Sequence, residues 1–446
     1  MPDLTAGLDQ DQLREWLSKQ RWYASKTNEL IGLEILEQAD LGDGLVLAFA
    51  QAGLATGTHD LYQLSLAGGS DEDGEMAFEA LDNPAHARTL LRRILQGDDV
   101  PTADGLFSFR NVGTMPDLGD APDVQPIGRE QSNSSVVFDD RVVLKLFRKL
   151  EAGINPELEM LRFLTHREFP GIAPLHGWYE YEGASLNATL GVAQEFLPDA
   201  TDGWSLGLEE VASEPDHYIQ RIAALGTATA RLHNTLATDP VDPAFSPEEP
   251  SAEAFSLLRA TIDEEIEHIF LRLPENNPGL EPILGCGPQV QERLALRAQI
   301  GVGGKHIRIH GDYHLGQTLS TPRGWVILDF EGEPARPLYE RRSKRPVLRD
   351  VAGMLRSFAY LASAAPLQHG IAIPPDFEDR LREGFLGAYY AEIERSLLPP
   401  GEAAIESVLS IYELEKAIYE LNYELDNRPD WVQIPVAGIQ RLLEEE

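Results

Sequence analysis

His310-Gly311-Asp312-Tyr313-His314-Leu315-Gly316-Gln317 is followed closely by Val326-Ile327-Leu328-Asp329-Phe330-Glu331-Gly332. The two segments bring three oxygen-bearing side chains into short range: Asp312, Gln317 and Asp329. The apolar run Val326-Ile327-Leu328 reads as a strand that delivers Asp329 at its end. One carboxylate that accepts a proton, with an amide and a second carboxylate that hold a divalent cation, is what moving a phosphoryl group onto a hydroxyl requires. Each piece alone is weak, because H-x-D is common and an Asp after an apolar strand is often a turn or a helix cap. His310 and His314, at i,i+4, imitate a metal pair, yet no H-E-x-x-H glutamate or third ligand accompanies them. His310 is therefore expected to brace the loop by hydrogen bonding, and His314 to approach the nucleotide or metal.

Order and spacing strengthen the reading. Asp312 plus five is Gln317, an amide where the kinase catalytic loop H-R-D-x-x-x-x-N has Asn, and Asp329-Phe330 opens the position of D-F-G. Upstream, Val142-Val143-Leu144-Lys145 matches the V-A-I-K strand, so Lys145 is expected to neutralise the phosphates of ATP. Its ion-pair partner comes from the next helix; Glu159 or Glu157 can supply it, and Glu159 is preferred. The adenine hinge is expected at Gln194-Glu195-Phe196-Leu197, after an apolar strand. No G-x-G-x-x-G precedes Lys145; Gln131-Ser132-Asn133-Ser134-Ser135 stands there, so Gln131, Ser132 and Ser134 are the expected phosphate-capping groups. ATP and Mg²⁺ are the implied cofactors, with Gln317 and Asp329 as metal ligands.

The chain has 446 residues with 37 Lys+Arg against 73 Asp+Glu, a net charge of −36. At roughly 150 residues per domain, two or three domains are expected. The acidic excess excludes nucleic-acid binding and docking on anionic membranes, both of which select clustered Lys and Arg. Cys286 is the single cysteine and reads as an ordinary loop residue. The N-terminal residues lack a basic stretch before an apolar core, and no apolar run approaches the ~18 residues of a membrane span, so a cytoplasmic protein is expected. Nothing calls for an oligomer, and a monomer is favoured.

Hydrophobic spacing divides the chain into an α+β pattern. Residues 1 to about 90 form a small module with a helix over 8–20, strands over 30–36 and 44–50, and a half-buried strand ending at Leu66. Gly68–Gly74 is a polar turn cluster. Residues 91–197 are the nucleotide-binding part: Ser135–Phe138 and Val142–Phe147 form a hairpin through Asp139-Asp140-Arg141, and a helix begins with Asn155 as N-cap and Pro156 in its first turn. Residues 198–446 are mainly helical, including 219–236, 252–273, 290–299 and 377–398.

Together these motifs resemble the aminoglycoside-phosphotransferase-like branch of the kinase fold, and within it the actinobacterial maltokinases and glucosamine kinases. The resemblance also draws on Gln20-Arg21-Trp22-Tyr23, Glu130–Phe138, Gly153–Pro156, Asp329–Pro334, Leu348–Met354 and Tyr412–Trp431. It implies a bilobal protein-kinase-like fold: an N-terminal cap module, an intermediate lobe with Lys145, and a helical C-terminal lobe holding the sugar acceptor. It makes Asp312 the catalytic base and Gln317 and Asp329 the magnesium ligands.

The family includes enzymes that phosphorylate maltose and others that phosphorylate glucosamine. Helical spacing over Tyr412–Leu425 groups Glu413, Glu420 and Glu424 on one stripe and Tyr412, Lys416, Tyr419 and Tyr423 on the next. Carboxylates suit hydroxyls or an ammonium group, and aromatics suit a sugar face; an ordinary helix with a solvated acidic face is the bland alternative. Maltokinases often carry a basic residue at the position of Asp426, so an acid there favours a cationic acceptor. Asp202, past the hinge, is a further candidate carboxylate. Asp202, Asp312, His314, Glu331, Tyr419, Glu420, Glu424, Asp426 and Trp431 are thus the expected acceptor residues. The reading is glucosamine 6-phosphorylation, with maltokinase as alternative. A nucleotide-binding pseudokinase is disfavoured because Lys145, Asp312, Gln317 and Asp329 are all present. A protein kinase is disfavoured because no segment ending in A-P-E follows Asp329.

Overall fold

The computed structural model describes residues 9–67, 78–127, 132–184, 186–274, 276–298 and 304–444. The turn cluster at 68–74 and the phosphate-capping candidate Gln131 lie outside them. The described residues divide into two compact units: one runs to His166 and resumes over Ala173–Pro198, and the other comprises Arg167–Ile172 and the chain from Asp199.

In the first unit α1 (Gln10–Ser18), capped by the Asp9 carboxylate, precedes β1 (Leu30–Gly42), β2 (Leu45–Leu54) and β3 (His59–Ala67). Next come α2 (Pro84–Gln96), β4 (Asp99–Pro101), β5 (Gly105–Asn111), β6 (Val124–Ile127), β7 (Asn133–Phe138), β8 (Val142–Phe147) and β9 (Lys149–Leu150). α3 (Pro156–His166), β10 (Leu175–Gly183) and β11 (Asn187–Glu195) complete it. Strands β1-β2-β3-β9 make one sheet, and β4-β5-β10-β11-β8-β7-β6 make a seven-stranded one. The β7–β8 turn carries Asp139 and Asp140 at φ +50° and +51°, the left-handed pair that a tight hairpin twist needs.

One apolar cluster joins the sheets, with Leu45, Leu47, Phe49, Leu90, Ile94, Phe107, Phe109, Leu144, Leu146 and Tyr179 all buried. A polar seam runs beside it. The Gln63 amide donates to the Phe147 and Leu190 carbonyls at 3.0 and 2.9 Å and accepts from the Tyr179 hydroxyl at 2.9 Å. Buried Arg148 bonds Glu79 at 2.7 Å and Ser134 Oγ at 2.8 Å and lies over the Trp22 ring. The motif residue Trp22 thus anchors the N-terminal sheet to the β7–β8 hairpin.

The second unit is mainly helical. It contains β12 (Thr201–Asp202), α4 (Gly203–Ser213), α5 (Pro215–Leu236), α6 (Ala252–Phe270), α7 (Gly287–Arg297), β13 (His306–Ile307), β14 (Thr318–Thr321) and β15 (Gly324–Ile327). α8 (Leu338–Arg341), β16 (Arg345–Pro346), α9 (Leu348–His369), α10 (Phe377–Glu392), α11 (Glu402–Asn427) and α12 (Gln433–Glu444) follow. A buried cluster including Ile262, Ile266, Leu294, Ile411, Ile418, Leu421 and Ile439 binds α6, α7, α11 and α12. Among the described residues no helix is long and apolar enough to cross a membrane.

Candidate active site

In the first unit, β8 sets Lys145 opposite Val192 of β11 and Ser135 of β7, in the middle of the seven-stranded sheet. Its ammonium meets the Glu157 carboxylate at 2.7 Å, both side chains being almost fully buried. This corrects the preference for Glu159. Asn155 accepts from the Glu157 N–H at 2.8 Å, which sets where the helix begins. Glu157 then shares a face with buried Met160, Leu161 and Leu164, whereas Glu159, two residues on, is turned about 200° round the axis and is half-buried. Ser134 Oγ accepts from Arg148, and Ser132 is exposed. Gln194 and Glu195 end β11, where the Glu195 and Phe196 N–H groups donate to the Pro174 and Arg141 carbonyls; Leu197 follows, half-buried.

In the second unit, β14 and β15 form a hairpin with Thr318 opposite Ile327, and the Leu328 N–H donates to the Gln317 carbonyl at 3.0 Å. The hairpin therefore returns Asp329 to Gln317, whose amide donates to the Asp329 carboxylate at 3.2 Å. Asp329 sits at φ +62°, left-handed backbone that Asp tolerates better than most residues. An adjoining carboxylate and amide oxygen form a hard donor set that suits Mg²⁺.

His310 ties this hairpin to Asp312. Its Nε2–H donates to the Leu328 carbonyl at 2.7 Å, which leaves Nδ1 to accept the Asp312 N–H at 3.3 Å. Asp350, fully buried on α9, accepts from the His310 and Gly311 N–H groups at 2.8 and 2.9 Å and from His233 Nε2 at 3.2 Å. Burial alone would raise the Asp350 carboxyl, but His233 and these donors hold it below its ordinary value. The loop is pinned again where Leu315 N–H meets Ser357 Oγ and the Tyr313 hydroxyl meets Thr229. A Cβ on Gly353 would stand 2.7 Å from the Tyr313 carbonyl, so this close approach of α9 to the loop needs glycine. His314 is half-buried and accepts from the Gly316 N–H; burial lowers its pKa and keeps the imidazole neutral.

The sequence reading missed Lys416. Its ammonium lies 3.6 Å from the Asp312 carboxylate and 2.8 Å from Glu333. Burial works against its charge, but the attraction of Glu333 and Asp312 outweighs it and raises the pKa. A lone base on the tyrosine stripe of α11 was the available signal. Lys416, Tyr419, Gly311 and Glu333 line one cavity.

The acidic stripe of α11 is not a solvated face. Glu420 is clamped by Arg356 at 2.7 and 3.0 Å, and Glu413 by Arg382 at 2.7 and 3.0 Å. Glu424 accepts from Tyr360 and takes both arms of Arg428. These carboxylates, expected to face an acceptor, are neutralised by arginines that helical spacing alone does not reveal. Asp202 is likewise engaged: it caps α4, accepting from the Ser205 N–H at 2.8 Å. Asp426 is exposed, Glu331 half-buried, and Trp431 stacks on Tyr360 beneath Arg428.

The chain is 28% identical over 338 residues to a glucosamine kinase of Mycolicibacterium smegmatis, covering 72% of this chain and 80% of that protein. It is 25% identical over 339 residues to a glucosamine kinase of Streptacidiphilus jiangxiensis, covering 71% and 72%. A solved glucosamine kinase in complex with glucosamine, ADP and inorganic phosphate superposes with a TM-score of 0.73 at 20% identity, over 96% of this chain and 99% of that one. The fold is thus the expected α+β kinase-like one, strand-rich in its first part and helical in its second. The phosphotransferase enzyme family model matches residues 123–368, more than half of the sequence, and the chain belongs to that family.

Proposed function

We propose that this chain is an ATP-dependent glucosamine kinase that forms ADP and glucosamine 6-phosphate. The observation that carries the reaction type is the array in which His310 joins the Asp312 backbone to the hairpin whose ends present Gln317 and Asp329. The acceptor rests on two relatives that are both glucosamine kinases. It no longer leans on Glu420 and Glu424, whose charges are balanced within the fold.

In the proposed mechanism Asp312 orients the sugar hydroxyl and accepts its proton as the phosphoryl group transfers. Lys416, 3.6 Å away, steers the Asp312 carboxylate. Lys145, itself held by Glu157, offsets phosphate charge on ATP. Asp329 and Gln317 would hold Mg²⁺, which when bound neutralises charge on the phosphate oxygens. The division into a cap of residues 1–90, a nucleotide lobe of 91–197 and a helical lobe of 198–446 belongs to the same proposal, as does a cytoplasmic monomer.

The test is magnesium-dependent ADP release across glucosamine, maltose, glucose and an aminoglycoside, with the phosphate position mapped by phosphorus NMR. Glucosamine is expected to give a kcat/KM at least about tenfold above the rest, the discrimination that one ammonium contact supplies. A preference for maltose would overturn the acceptor. Absence of acceptor-stimulated ADP with every sugar would overturn the kinase.

A further inference from the structure

Behind the catalytic loop lies a second cavity, lined by Arg336, Arg341, Arg345 and Arg349 together with Gly311 and Gly332. Four guanidiniums around one hollow are unexpected in a chain of net charge −36. They converge from separate elements: Arg336 precedes α8, Arg341 ends it, Arg345 lies in β16, and Arg349 is in the first turn of α9. Among the described residues, two carboxylates, Glu333 and Glu340, share the lining.

Three of the four are engaged. Arg336 pairs with Glu333, Glu340 and Glu415, and Arg349 with Glu415 at 3.1 Å and Glu333 at 3.8 Å. Arg341 donates to the Arg336 and Glu331 carbonyls, both at 3.1 Å. Arg345 differs. Its backbone is fixed by pairing with Ile307 of β13, yet its guanidinium reaches no carboxylate within ion-pairing distance among the described residues. It is half-buried rather than bathed in solvent. Burial, and then repulsion from Arg349 and Arg336, lowers its pKa and outweighs the attraction of Tyr412 and the Glu415 carboxylate.

A half-buried guanidinium facing like charges is stabilised by a counter-anion, and its planar fork suits a tetrahedral oxyanion in two-pronged contact. We propose that this cavity binds a phosphate-class anion, either inorganic phosphate or a phosphomonoester, with Arg345 as its principal ligand. Gly311 and Gly332 leave the adjoining floor without side chains. The site lies one residue from Asp312 and three from Asp329 along the chain, so an occupant touches both catalytic segments.

Calorimetric titration of the full-length protein tests the site. Mg²⁺ and a non-hydrolysable ATP analogue are kept saturating, so that the nucleotide site is filled to its γ-phosphate. Inorganic phosphate and glucosamine 6-phosphate are titrated separately at fixed ionic strength. At least one is expected to bind once per chain, with affinity at least about tenfold weaker in Arg345→Gln, and Arg345→Lys intermediate because it keeps the charge without the fork. Tighter binding of phosphate supports a free-anion site, and tighter binding of the sugar phosphate supports a phosphomonoester site. No binding of either to the wild type, or equal affinity in Arg345→Gln, overturns the proposal. Among the described residues Arg345 makes no side-chain hydrogen bond or ion pair, so the Gln variant should melt within about 2 °C of the wild type. If it melts earlier, the Lys variant carries the comparison. The readout needs no turnover and stands or falls apart from the kinase assignment.

Discussion

Asp312→Asn keeps the shape of the side chain and removes the proposed proton acceptor. It should lower kcat by about 10²–10⁴-fold while leaving ATP affinity nearly intact, as ADP release and equilibrium nucleotide binding would show. The Lys145 partner gives a sharper contrast. Glu157→Gln removes the carboxylate facing a buried ammonium and should cost about 3–5 kcal/mol in urea unfolding, whereas Glu159→Gln should cost well under half of that. Glu333 provides a pH handle. Burial would raise its carboxyl, but Lys416 and Arg349 hold it at about 2 against an ordinary 4.5. The depressed value makes its stabilisation complete above 4.5 and lost as pH falls toward 2, on the order of 3 kcal/mol. The stability gap between wild type and Glu333→Gln should therefore narrow as pH drops through that window. Asp312, Gln317 and Asp329 were legible because an apolar strand and short spacing delimit them. Glu157 was not, since two glutamates two residues apart face opposite ways and only the position of the Asn155 cap decides between them.

α11 is where sequence pattern and tertiary structure part. Its periodicity over Tyr412–Leu425 and its stop before Pro429 follow from the residues, but the helix begins earlier and runs over Glu402–Asn427. Its chemistry does not follow, because the arginines that neutralise Glu413 and Glu420 arrive from α10 and α9. Helical spacing reports which residues share a face, not what the neighbouring helix brings to it. Arg356→Met should destabilise the protein by about 3–5 kcal/mol, because it strands Glu420 as a buried charge. Adding Glu420→Leu should recover much of that loss, since an apolar pair replaces an ionic one. Chemical denaturation of the single and double variants checks both, and a double variant no more stable than the single would refute the pairing argument.

For the whole molecule, the charge of −36 implies self-repulsion that salt relieves. The melting temperature should rise by a few degrees as sodium chloride goes from about 10 to 200 mM, a span that shortens the screening length from about 30 Å to below 10 Å. A flat response would mean that internal pairing already balances the surplus. The same acidity excluded polyanionic partners from composition alone, yet it concealed a basic enclave, because a net sum does not report where Arg336, Arg341, Arg345 and Arg349 gather. The β7–β8 hairpin and several long helices were readable from local caps and alternation, whereas the β14–β15 hairpin and α9 were not. Nor were the Gln63 links and the Arg148–Glu79 pair, since they join positions 69 to 127 residues apart.

The left-handed backbone of Asp329 has an evolutionary consequence. A position at φ +62° admits Gly, Asn and Asp and penalises most other side chains by about 1–2 kcal/mol, whatever their chemistry. With Asp329 as the proposed metal ligand, selection for folding and selection for catalysis act on this residue separately. A descendant that abandoned phosphoryl transfer but kept its shape should carry Asn or Gly here far more often than Ala. Loss of function at this site would leave a mark that backbone geometry, not chemistry, writes into the sequence.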